Sequence, residues 1–116
     1  METNIIEGNK LLNDFIGNNE NINYHNDLNS IILIIDKICS GLTVKIYGSH
    51  RDINGEDVDI IIHNFTNRKH YSTLKIEYGR RFIEFNECCD NVIDLPITAF
   101  MMVVKFVKWY NQHKIN

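Results

Sequence analysis

Apolar and polar positions alternate with different periods along the chain and divide it into helical, strand-like and again helical stretches. Asn4 and Glu7 have the spacing of a capping box, Gly17 supplies a stop, and Ile5, Leu12, Phe15 and Ile16 can share one face. This predicts a helix over 4–16. Residues 17–25 (GNNENINYH) are polar and turn-rich and read as a loop. A second helix follows, capped by Asn26 or Asp27, with Leu28, Ile31, Ile32, Ile35, Ile38 and Cys39 at helical spacing and Ser40-Gly41 at its end.

Period-2 alternation then takes over. Leu42, Val44 and Ile46 form one alternating set, Val58, Ile60 and Ile62 a second, and Leu74 and Ile76 a third. Residues 48–56 read as a loop, and Gly79-Arg80 as a tight turn into a fourth strand over 81–87. Asp94 and Pro96 open a last helix running to about residue 112. Its apolar surface is broad. Ile97, Phe100, Met101, Val104 and Val107 cover one side and Met102, Phe106 and Trp109 another, leaving a polar stripe of Thr98, Lys105, Lys108 and Gln112. A helix apolar almost all round is buried by its own chain or by a partner. Phe106, Trp109 and Tyr110 are therefore candidate interface residues, for a protein partner or for self-association.

The resulting expectation is one α+β domain over residues 1–116, in the order ααββββα. An antiparallel four-stranded sheet is flanked by helices, in an α/β/α sandwich-like arrangement.

Composition changes this picture little. Nineteen Ile and 16 Asn stand against one Ala and one Pro, a skew typical of AT-rich coding sequence. The net charge of −3 supplies no global basic field, so nucleic acid is not an expected partner. Local basic spots remain at Arg68-Lys69 and Arg80-Arg81 as candidate anion contacts, and a small nucleotide is an admissible ligand. Three cysteines, an odd number with Cys88 and Cys89 adjacent, point to reduced thiols. No Cys/His spacing of zinc-site type occurs. Residues 1–10 carry Glu2 and Glu7 and no apolar run of signal-peptide type, and no stretch approaches membrane-span length. A soluble, cytoplasmic protein without membrane partners is expected.

The sharpest local chemistry is Gly48-Ser49 followed by Asp57-Val58-Asp59. Gly-Ser after a strand, with D-x-D on the next, looks like the nucleotidyltransferase signature. Carboxylates two apart on a strand project from one face and could hold Mg²⁺, with Glu77 or Glu84 supplying a third. The bland alternative is a polar hairpin loop and a solvated strand face. Only seven residues separate Ser49 from Asp57, too few for the helix that usually lies between those motifs. The bland alternative is therefore favoured, with no catalytic residue and no cofactor. Tyr24-His25 reads as packing and capping ahead of the second helix.

Two segments carry a family resemblance. Residues 5–17 (IIEGNKLLNDFIG), together with Tyr24-His25 and the helix after them, resemble the opening of small proteins from phages and prophages of Bacteroidetes related to the phage ABA-sandwich domain. The closing VVKFVKWYN of residues 103–111 is similar to the V-V-x-F-I-K-W-Y-N ending of that group. Residues 42–92 match in pattern alone, and tryptophans usual in the second helix are replaced by Leu28 and Ile32. The resemblance implies a phage-borne helix–sheet–helix domain acting in the host cytoplasm and carries over no catalytic residue. The function expected is a non-enzymatic accessory protein that binds a host or defence protein, or a small signalling nucleotide. A minimal nucleotidyltransferase or a minor virion component are the alternatives.

Overall fold

A computed structural model describes residues 2–17, 21–78 and 80–115. Gly79 of the expected turn, and Asn18, Asn19 and Glu20 of the expected loop, lie outside the described residues. The fold is α+β, with helices α1 (Glu2–Ile16), α2 (Leu28–Cys39) and α3 (Leu95–His113). Five strands accompany them: β1 (Leu42–Ile46), β2 (Ser49–Ile53), β3 (Val58–Thr66), β4 (Lys69–Tyr78) and β5 (Arg81–Cys89).

The expected single four-stranded sheet is corrected to two antiparallel sheets, a β1-β2 hairpin and a β3-β4-β5 meander. The difference is β2, placed in the segment 48–56 read as a loop. Its first four residues are exposed, so it carries no alternation, and it is held by its ladder to β1 from Leu42↔Ile53 to Ile46↔Ser49. The sandwich-like arrangement is corrected as well. The inner face of the meander carries Leu74, Ile76, Ile83 and Phe85 against α3, while Asp59, Lys75, Glu77, Phe82 and Glu84 lie exposed on its outer face. Helices therefore cover one face of this sheet.

Helix α3 forms the centre. Phe100, Met102, Val103, Phe106 and Val107 are fully buried. Phe106 meets Phe15 of α1 edge-on at 6.5 Å and Phe85 of β5 at 5.8 Å, which places α3 between the meander and the other helices. Much of its apolar girth is buried within the chain, while Ile97, Met101, Trp109 and Tyr110 are only partly buried. No helix is long and apolar enough to cross a membrane among the described residues.

Two predicted caps are corrected. Helix α1 begins at Glu2, so Asn4 lies inside it, and the Asp94 side chain makes no cap bond. Asp27 does cap α2, accepting from the Asn29 N–H at 3.0 Å and the Ser30 hydroxyl at 2.9 Å. The buried face of α2 is Ile31, Ile34 and Ile38, whereas Ile32, expected inside, is half exposed.

Between α1 and the 3₁₀ turn at Tyr24–Asn26 lies a polar lock that the sequence did not reveal. Asn9 Oδ1 accepts from the Tyr24 N–H at 2.7 Å, and its Nδ2 lies 3.0 Å from His25 Nδ1. Asn13 Oδ1 accepts from the Tyr24 hydroxyl at 3.0 Å, and its Nδ2 donates to the Ile22 carbonyl at 3.1 Å. Both asparagines are buried, so these bonds replace the water their amides lose on folding. Beside them, Gly8 lets α1 approach α3 closely. A Cβ at this position would lie 2.6 Å from Cζ of the buried Phe100 ring. The opening segment with Tyr24-His25 thus makes a helix-to-loop clamp.

Candidate functional site

The residues singled out in the sequence separate into distinct places. Asp57 and Asp59 share a shallow cleft of about 150 Å³ with Glu56, Lys75, Glu77 and Phe82. The Asp57 carbonyl accepts from the Glu77 N–H at 2.9 Å, which aligns the two segments. Lys75 stands opposite Asp59 on one side and opposite Glu84 on the other, an alternation of charge across three strands. Its ammonium lies 4.8 Å from the centroid of the Phe82 ring. Ser49 belongs to the other sheet and does not line this cleft, nor does Glu84. Among the described residues no group of three or more His, Cys, Asp or Glu side chains is placed to hold a metal ion.

The basic spots also part. Arg68 is in the two-residue turn between β3 and β4, and Lys69 opens β4, with Asp90 3.9 Å from its ammonium. Arg80 and Arg81 lie at the other end of β4, about 30 Å away at the usual rise per strand residue. One small anion cannot bridge both.

Of the expected interface residues, Phe106 is corrected to an interior position, since it is wholly buried under Phe15 and Phe85. Tyr110 is half-buried beside a small cleft with Asp14, Phe15, Lys37, Asn111 and Lys114. Burial pushes its phenol pKa up, and a hydrogen bond with the Thr43 backbone offsets part of that rise.

Trp109 and Arg81, chosen from the sequence for different reasons, meet in one cleft. It lies where the β1-β2 hairpin approaches the start of β5 over the last turns of α3. Its volume is about 390 Å³, and it is lined by Lys45, Ile46, Tyr47, Arg81, Ile83, Trp109 and His113. None of these residues is acidic, so two permanent cations face a cleft without an internal counter-charge. Ile46 and Ile83 give it an apolar floor. Trp109 and His113, one helical turn apart, stack at 4.7 Å with 24° between their planes. His113 Nδ1 lies 2.8 Å from the Trp109 carbonyl. A carbonyl only accepts, so Nδ1 holds a proton and Nε2 is left for other partners.

The rim of the cleft is built by the β1-β2 turn. Tyr47 and Gly48 connect the closing pair Ile46↔Ser49, with φ of 50° and 80°. Positive φ at both central residues is the pattern of a type I′ hairpin turn, which matches the strand twist and usually takes Asn-Gly. Here Gly48 meets the requirement without cost, and Tyr47 meets it as a large residue in the left-handed region. The Arg81 guanidinium lies over the Tyr47 ring, 4.9 Å from its centroid, and donates to its hydroxyl. Lys45, Tyr47 and His113 were missed by sequence reasoning. Lys45 and Tyr47 carried an available signal, Lys45 at an outward position of β1 and Tyr47 beside the turn glycine Gly48.

Comparison with protein-family models, with curated proteins and with solved structures returns no match for this chain. The class defined by fold and site is a small α+β protein with a cationic, aromatic-lined cleft between two sheets.

Proposed function

We propose that the chain is a small phage-borne binding protein that acts without catalysing a reaction, and that its ligand is a small nucleotide held in the cleft between the sheets. The observation that carries this reading is the lining itself: Lys45 and Arg81 with Trp109, Tyr47 and His113, and no carboxylate. Phosphate needs cationic donors, and a nucleobase needs aromatic faces for stacking. A volume of about 390 Å³ falls in the range of small-molecule pockets. The phage origin is supported by the likeness of residues 5–17 and 103–111 to phage and prophage proteins. The non-catalytic part is supported by the separation of Ser49 from Asp57 and Asp59, and by Lys75 standing among the carboxylates.

Trp109 is the sole tryptophan, so its emission reports on the cleft directly. Titration with AMP, ADP, ATP and cyclic mono- and dinucleotides is expected to give a saturable change with at least one of them. That change weakens as salt is raised, and in Arg81→Ala it moves to about tenfold higher nucleotide concentration. No saturable change and no thermal shift with any of these compounds at millimolar concentration would refute the reading.

A further inference from the structure

Resting on the cleft reading above, we propose that Tyr47 is a positioning residue that holds the Arg81 guanidinium at the mouth of the cleft for the anionic group of the ligand. Three observations converge on this pair. Tyr47 occupies the first central position of its turn at φ 50°, where Asn or Gly fits more readily. Its side chain is 82% exposed, so burial does not hold it there. Its ring and its hydroxyl both engage Arg81. A bulky aromatic in a turn position that favours a smaller residue is therefore spent on one neighbour.

The chemistry of the clamp matters as much as its presence. A carboxylate would also fix an arginine, but it would neutralise the charge and compete with an incoming phosphate. Among the described residues no carboxylate lies within ion-pair distance of Arg81. A phenol orients the guanidinium through one hydrogen bond and the ring face while leaving the net charge intact. The guanidinium has five N–H donors, and the Tyr47 hydroxyl uses one side of that fork. Arg81 lines the same cleft as Lys45 and Trp109, so the donors not used by Tyr47 remain for an anion bound there. An arginine held in advance gives up less side-chain freedom on binding than an arginine free in solvent. Tyr47 thus acts on affinity through Arg81.

The test is a double-mutant cycle on the full chain, read by Trp109 emission with the tightest binder among AMP, ATP and cyclic di-AMP. Tyr47→Asn removes the clamp and gives the turn its preferred residue. It is expected to weaken binding roughly tenfold, as loss of one charge-assisted contact would, while Tm stays level or rises by up to about 5 °C. Tyr47→Phe keeps the ring face and is expected to lose about two- to threefold. In the Arg81→Ala background, Tyr47→Asn is expected to change nothing further. A turn residue of structural importance alone would lower affinity and Tm together. Wild-type affinity in Tyr47→Asn, or an undiminished loss in the Arg81→Ala background, overturns the positioning role and leaves the cleft reading standing. Absence of binding by the wild-type chain overturns both.

Discussion

Replacing Asn9 by Ala tests the polar lock between α1 and the Tyr24 turn. The substitution leaves the buried Tyr24 N–H without the acceptor now 2.7 Å away, at about 1–3 kcal/mol for an unsatisfied buried donor. It also removes the contact between Asn9 Nδ2 and His25, about 0.5–1.5 kcal/mol. Ala is the better helix former, which returns about 0.6 kcal/mol. The expected net loss is about 2 kcal/mol. For a chain of this length the unfolding entropy is about 0.24 kcal/mol per kelvin, so Tm should fall by about 8 °C. Urea unfolding followed by far-UV circular dichroism measures the loss, and an unchanged m-value shows that the unfolded reference is the same. Asn4→Ala on the same helix is the control, because Asn4 is exposed; it should be neutral or stabilising by about 0.5 kcal/mol. A loss below about 0.5 kcal/mol in Asn9→Ala, or an equal loss in Asn4→Ala, would refute the lock.

Gly8→Ala should destabilise by about 1–3 kcal/mol despite the helix-favouring residue, because the added methyl meets the buried Phe100 ring; a stabilised variant in thermal melts would contradict this packing. Burial, reinforced by the neighbouring Asp36 carboxylate, raises the Cys39 pKa, so less of it is thiolate at neutral pH. Maleimide labelling with peptide mapping should therefore modify exposed Cys88 first and Cys39 last, and the reverse order would count against it. Mg²⁺ at millimolar concentration, alone or with ATP, should leave Tm unchanged between the wild type and an Asp57→Ala/Asp59→Ala variant. A magnesium-dependent shift lost in that variant would revive the nucleotidyltransferase reading.

The helices and four of the five strands were legible because their apolar spacing matches the burial that the fold imposes. At α2 the spacing was ambiguous. Residues 31–35 are all apolar, so two faces satisfy the helical period, and packing against α3 selects Ile34 over Ile32. Strand β2 was illegible because a solvated edge strand needs no alternation, and only Ile53 is buried. The asparagine excess hid Asn9 and Asn13 among residues that suit caps and loops, whereas both are interior groups bonded to a distant turn. Trp109 and Arg81 were visible as residue types, but their meeting depends on how the hairpin docks over α3. No local pattern encodes that.

The position of α3 also bears on how the chain reaches its fold. The helix that both sheets and both other helices pack on is the last element in chain order. A chain emerging from the ribosome presents α1, α2, the hairpin and the meander before the surface that completes them. Their apolar faces must wait, or associate provisionally, until α3 arrives. Folding of these elements is thereby made nearly all-or-none once α3 has emerged. Premature termination upstream of Leu95 would leave the isoleucine-rich face of α2 and the Leu74 and Ile76 side of β4 exposed, as a substrate for chaperones and proteases instead of a partly working domain.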